Sequence, residues 1–276
     1  MLNITVFMSI LSMELIEEKK GPITTLIFNR PEIRNALTKD MKDSLSRTLH
    51  KIAQDETVKV VVLTGKGQHF MAGGDLNSMQ KTLDLPKEEI KDYFLKRIYD
   101  LNPIITCLQQ MPKPVIASVS GAAAGAGVSL ALACDLIIAE PSSYFVLGYC
   151  NIGTTPDGGA TYNLTQCVGI KKAMELSLLG DKVEASTAHK IGIVNYVTEE
   201  GSLVSETDAL SSRLANGPTR VYARTKRLLY GSLKNELQSQ LQNEAISFSE
   251  CAIEPDFKEG VKAFFNKKPP KFLGSL

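Results

Sequence analysis

Asp157 is the residue of this 276-residue chain most able to do chemistry, because it stands as a lone carboxylate in a turn of small residues, Gly148-Tyr-Cys-Asn-Ile-Gly-Thr-Thr-Pro-Asp157-Gly-Gly-Ala160. A carboxylate so placed can take up and return a proton. Two other segments, Phe70-Met-Ala-Gly-Gly74-Asp75-Leu76 and Gly121-Ala-Ala-Ala-Gly125-Ala126-Gly127-Val-Ser129-Leu-Ala-Leu-Ala-Cys-Asp135, are built largely from Gly and Ala. Each can bring a bare backbone N–H against a ligand. Taken singly, such runs serve the close packing of helix on strand. Asp157 after Pro156 also has the context of a helix N-cap, and the two roles can coexist.

Other routes to chemistry have weaker support. Gly125-Ala-Gly127-Val-Ser-Leu130 begins like a dinucleotide fingerprint, but its third small position is a leucine and it lies mid-chain. Gly65-Lys66-Gly67 lacks the spacing and ending of a phosphate loop, and there is no Gly-x-Ser-x-Gly elbow. The three histidines, His50, His69 and His189, fall on helices or beside a turn, so a histidine-driven triad is not expected. Five cysteines without a Cys-x-x-Cys pair argue against a disulfide framework or a zinc site. They read as small buried hydrophobes in a reducing compartment.

The elements that must position Asp157 alternate in the manner of an α/β domain. Residues 23–29, 58–64, 114–120 and 136–139 read as strands, and 128–134 as a helix after the small-residue turn. Thr38 is placed to cap a helix whose Met41, Leu45, Leu49 and Ile52 share one face. Residues 77–91, without periodicity, read as a mobile flap beside the Gly73-Gly74 turn. From about residue 205 strand signals give way to helical patterns at 221–233 and 237–250. The expected organisation is an extension over 1–12, a core over 13–204 and a helical region over 205–276.

With 31 Lys+Arg against 30 Asp+Glu the net charge is +1, so any anionic ligand must be held locally, and neither nucleic acid nor an anionic membrane is an expected partner. The apolar opening lacks a basic n-region and is too short to span a bilayer, which leads to the expectation of a cytoplasmic protein.

Ala-Gly-Gly-Asp-Leu, the Gly/Ala turn running into Cys-Asp-Leu-Ile-Ile-Ala, and Pro-Asp-Gly-Gly together resemble the crotonase superfamily, the enoyl-CoA hydratase/isomerase family. The resemblance covers residues 13–272. It includes Asn29-Arg30-Pro-Glu-Ile-Arg34-Asn35-Ala36-Leu37 and Ala263-Phe264-Phe-Asn-Lys267. It implies a spiral of repeated β-β-α units with a helical C-terminal trimerisation region, assembled as a homotrimer or a hexamer of two trimers. It implies an acyl-CoA substrate, with coenzyme A arriving as part of that substrate and no permanently bound cofactor or metal. The family's oxyanion hole, two backbone N–H groups on the thioester oxygen, maps onto Gly74 and Ala126. Coenzyme A binding maps onto Arg30, Arg34, Ala36, Leu37, Ala72, Asp75 and Leu76, with Phe264 and Lys267 contributed by a neighbouring subunit. Arg30, Arg34 and Lys267 are the candidate phosphate partners.

One departure bears on the reaction. Where family hydratases carry two water-activating glutamates, this chain has Ser129 and Tyr149, retained as auxiliary candidates. Asp157 stands where single-carboxylate isomerases of the family place their acid/base. The expected activity is double-bond isomerisation of an enoyl-CoA. The alternatives are a hydratase with a non-standard acid/base set, and a non-catalytic or RNA-binding member using a stripe of Lys171, Lys172, Arg224, Lys226 and Arg227.

Overall fold

A computed structural model describes residues 14–274, so the extension expected over 1–12 and the domain start at Met13 lie outside the described residues. The chain begins with β1 (Leu15–Lys20), β2 (Ile23–Phe28), α1 (Lys39–Gln54), β3 (Val60–Gly65), α2 (Leu76–Gln80), α3 (Lys87–Tyr99) and α4 (Asn102–Gln110). It continues through β4 (Val115–Val119), β5 (Ala122–Ala124), α5 (Ala126–Ala133), β6 (Leu136–Ala139), β7 (Tyr144–Val146) and α6 (Ala160–Leu179). Then follow β8 (Val183–Glu184), α7 (Ala185–Lys190), β9 (Tyr196–Val197), α8 (Leu203–Ala215), α9 (Thr219–Ser232), α10 (Leu237–Ala252) and α11 (Pro255–Phe265).

Six strands form one sheet in the order β1-β2-β3-β4-β6-β9, parallel except for the β1/β2 pair. β3 and β4 are rich in valine and buried along nearly their whole length, as parallel strands covered on both faces must be. A second layer follows a repeat of its own. Leu37 bridges to Gly74, Met71 to Ala123, and β5 pairs with β7, so each unit contributes one piece to each layer before its helix. This is the spiral that the resemblance implies.

Local chemistry sets the helices. Thr38 caps α1, its hydroxyl accepting from the Met41 N–H at 3.1 Å, and Met41, Leu45, Leu49 and Ile52 are buried as their spacing predicts. On the opposite face α8 sets Leu203 and Ala215 against Val60, Val62, Ile116 and Ile138. The boundary placed between 204 and 205 therefore falls inside a helix that packs on the sheet. A buried ion pair ties α9 to the core. Lys226 Nζ donates to Asp135 Oδ2 at 2.7 Å and to the Leu108 carbonyl at 2.7 Å.

Two expectations require correction. Residues 77–91 are not an irregular flap: Asp75 caps α2 by accepting from the Asn77 N–H at 3.0 Å, and α3 starts at Lys87. Local capping and Arg97, which donates to Ser78 Oγ at 2.8 Å, order a stretch without clear periodicity. The cysteines are not generally buried either, for only Cys134 is, while Cys150 and Cys167 are exposed. Among the described residues no helix is long and apolar enough to cross a membrane.

Candidate active site

The turn at residues 72–76, the start of α5, the segment after β7 and the inner face of α3 enclose a cavity of about 280 Å³. Gly74, Ala126, Tyr149 and Asp157 all line it, so the fold brings the three motifs together. Close backbone approach makes this possible. Gly125 precedes α5 with φ 47°, a conformation that L side chains rarely adopt, and at Gly127 a Cβ would come 2.4 Å from the Met71 carbonyl oxygen. Neither the Gly74 nor the Ala126 N–H has a hydrogen-bond partner among the described residues. Leu37 holds the Gly74 turn from both sides, donating to the Gly73 carbonyl at 2.7 Å and accepting from the Asp75 N–H at 3.3 Å. Ala126 is the first residue of α5, where orphan N–H groups and the helix dipole favour negative charge.

Asp157 does not cap α6. That helix starts after Gly159, in the left-handed region and without a side-chain cap, so the N-cap reading is replaced by another partner. The Tyr149 hydroxyl donates to Asp157 Oδ1 at 2.7 Å. Ser129 Oγ, fully buried behind the pair, donates to the Asp157 carbonyl at 2.9 Å and lies 3.2 Å from the Tyr149 hydroxyl. Gly158 permits this seat: its φ is 56°, and a Cβ there would come within 2.9 Å of both Ser129 Cβ and Leu101 Cδ2. Burial raises the Asp157 carboxyl above its ordinary range, against the lowering effects of the Tyr149 hydrogen bond and then of Arg97 and Lys42. Burial likewise raises the Tyr149 phenol, and the Asp157 charge adds to it, so Tyr149 remains a protonated donor.

The two cations escaped the sequence reading. Arg97 lines the cavity and donates to Ser78 Oγ and, at 3.2 Å, to Tyr93 Oη. Lys42 Nζ donates to the Arg97 carbonyl at 2.8 Å, and burial lowers its pKa. A signal existed for Lys42, which falls on the buried stripe of α1 beside Met41 and Leu45.

The coenzyme candidates divide. Leu37, Ala72 and Leu76 line the cavity. Ala36 is buried next to Leu37, and the Asp75 side chain is engaged in capping α2. Arg34 is exposed, its carbonyl accepting from the Ala72 N–H at 2.9 Å. Arg30 is bound to Glu14 and Glu32, which occupy the guanidinium offered to phosphate. Phe264 and Lys267 lie at the end of α11 away from this cavity, with Phe264 79% exposed. Three of the five residues of the basic stripe are engaged: Lys226 is buried on Asp135, Arg224 pairs with Glu250, and Lys172 pairs with Glu175. The histidines are satisfied elsewhere, His69 Nδ1 accepting from the Ala122 N–H at 3.1 Å.

Residues 18–275 match the family described as enoyl-CoA hydratase/isomerase. The chain belongs to that family. It is 36% identical over 256 residues to the 1,2-epoxyphenylacetyl-CoA isomerase of Escherichia coli, covering 93% of this chain and 96% of that protein. It is also 36% identical to a probable enoyl-CoA hydratase of Rhodobacter capsulatus, covering 91% of this chain and 95% of the relative. A trans-2-decenoyl-[acyl-carrier-protein] isomerase of Streptococcus mutans is 33% identical, with 95% and 98% covered. Among solved structures, an enoyl-CoA hydratase from a Polaromonas species superposes with a TM-score of 0.87 at 32% identity, covering 94% of this chain and 99% of that one. Names within the hydratase/isomerase family thus divide between the two reactions.

Proposed function

We propose that this family member isomerises an enoyl-CoA, moving its double bond by a proton shuttle through Asp157. The observation that carries the reading is that Asp157 is the one carboxylate among the described residues lining the cavity. The two positions where family hydratases hold water-activating glutamates are a serine and a tyrosine. One carboxylate suffices for isomerisation, whereas hydration needs a group to hold and activate water as well.

In the proposed reaction ionised Asp157 removes a proton from C2 of a 3-enoyl-CoA. The electron pair spreads over the thioester oxygen and the C3–C4 double bond, giving a dienolate. The Gly74 and Ala126 N–H groups donate to the oxygen where this charge develops, and stabilise it more than they stabilise the neutral carbonyl. Protonated Asp157 then returns the proton to C4, leaving the double bond between C2 and C3 and the carboxylate ionised again. The raised Asp157 carboxyl suits both halves of the shuttle. Because the base must be ionised, kcat/KM should climb as pH rises through a point above the ordinary carboxylate range.

The deciding experiment compares a 3-enoyl-CoA with a 2-enoyl-CoA as substrates of the wild type and of Asp157→Asn. Isomerisation of the 3-enoyl compound should fall by about 10²- to 10⁴-fold in the variant. Fast hydration of the 2-enoyl compound, untouched by Asp157→Asn, would instead assign a hydratase. For the coenzyme, the proposal keeps Leu37, Ala72 and Leu76 on one subunit and brings Phe264 and Lys267 from a neighbour in a trimer. A monomer by light scattering at assay concentration would sink that part.

A further inference from the structure

Tyr149 and Ser129 hold the proposed base from two sides. Two hydroxyl hydrogens are available in this cluster, and the contacts open to them differ in length. The shortest runs from Tyr149 to Asp157 Oδ1, at 2.7 Å, and it is charge-assisted when the carboxylate is ionised. The next runs from Ser129 Oγ to the Asp157 carbonyl, at 2.9 Å, while the Ser129 contacts to Tyr149 Oη and the Gly125 carbonyl are 3.2 and 3.4 Å. Giving each hydrogen to its shortest acceptor leaves Tyr149 on the side chain and Ser129 on the backbone of the same residue. Asp157 Oδ2 keeps no hydrogen-bond partner among the described residues, on a residue that lines the cavity.

We propose that Tyr149 is a positioning residue that commits Oδ1 of Asp157 to its own phenol, so that Oδ2 alone carries the proton between C2 and C4, with Ser129 fixing the Asp157 backbone. This rests on the isomerase reading. A carboxylate free to rotate would offer either oxygen in any orientation, and returning the same proton two carbons away demands one oxygen held over both. The phenol suits the task because it can donate to Oδ1 whether Asp157 is ionised or protonated, and its burial keeps its own proton in place. The other charged groups facing Asp157 are Arg97 from α3 and Lys42 from α1, both favouring the ionised form. Tyr149 is the donor on the carboxylate itself.

The pH profile of kcat/KM for a 3-enoyl-CoA separates positioning from mere packing. Tyr149→Phe keeps the ring and removes the donor, so the rising limb should move to higher pH by about one pH unit. At the plateau kcat should fall on the order of tenfold to a hundredfold. Tyr149→3-fluorotyrosine, a stronger donor with the same contacts, should move the limb the other way, and it serves if the phenylalanine variant does not fold. Ser129→Ala should lower kcat and leave the limb in place. An unmoved limb in a folded Tyr149→Phe or Tyr149→3-fluorotyrosine protein overturns the inference, whatever happens to kcat. Asp157→Asn distinguishes the two levels of failure. Should it leave isomerisation intact, the isomerase reading itself falls; should it abolish isomerisation while the limb stays put, only the role of Tyr149 falls.

Discussion

Two aspartates of this chain are both raised by burial, yet the fold uses them in opposite ways. Asp135, at the end of α5, accepts at Oδ2 from Lys226 Nζ at 2.7 Å and from the Val115 N–H at 2.8 Å. Its charge is balanced by an ammonium that is itself buried, and it joins α9 to the base of β4. Asp157 has a neutral phenol on one oxygen and an open cavity beside it. A full counter-charge makes a strut, because protonation would strand the lysine. A neutral donor leaves the carboxylate free to gain and lose a proton. Burial alone therefore does not mark the proposed acid/base residue; the charge of its partner and its access to open space do.

Exchanging carboxylate for amide at both positions breaks the comparison most sharply. Asp157→Asn should abolish most isomerisation, with the loss given above, while its melting temperature stays level or rises, since a desolvated charge disappears and the Tyr149 donor keeps an oxygen to bind. Asp135→Asn should do the reverse, costing about 3–5 kcal/mol of unfolding free energy because Lys226 is left buried without its counter-charge. Activity per folded molecule should be retained, and denaturant titration beside the assay reads both. A variant pair with the two outcomes interchanged would mean that the roles are assigned backwards.

The proposed oxyanion donors test the cavity side of the comparison. Gly74→Pro deletes one N–H and should cost about 2.7–4 kcal/mol of transition-state stabilisation, read in kcat. Gly74→Ala keeps that N–H, and its methyl would meet the Arg97 and Met79 side-chain ends at 3.0 Å, where a small shift of either side chain makes room, so its effect should be far smaller. Equal damage from both would point to crowding rather than to a lost donor. The smallest effect expected is that of Arg97→Met. Without this half-buried cation the rising limb of kcat/KM should move to higher pH by less than about half a pH unit, because solvent screens a charge that makes no direct contact with the carboxylate.

Much of the fold is legible in the chain. The α1 stripe, the Thr38 cap and the valine-rich strands follow from short-range rules, because their signals lie within a few residues. The strands β5, β7, β8 and β9 are too short to carry a pattern, two or three residues each, and exist only through pairing with distant partners. The segment at 77–91 misleads in part for the same reason: its Asp75 cap is local, but Arg97 on α3 reaches back 19 residues to Ser78. Arg30 misleads in the opposite direction, since an arginine read as a phosphate partner proves to be paired with Glu14 and Glu32.

The sequence by itself determined the residue types on which the proposed chemistry depends: one carboxylate after a proline, two glycine-rich turns able to expose an N–H, and a serine and a tyrosine at the positions that the resemblance matches to the glutamates of family hydratases. It also determined the family, through motifs spread along nearly the whole chain. Only the tertiary structure decided that Tyr149 donates to Asp157, that Ser129 stands behind both, and that Arg97 and Lys42 face the same carboxylate. The reason is distance along the chain. Asp157 lies 28 residues from Ser129, and Lys42 lies 55 residues from the Arg97 carbonyl it holds, so no local rule links them. Packing of α1, α3 and α5 around one cavity brings these residues together.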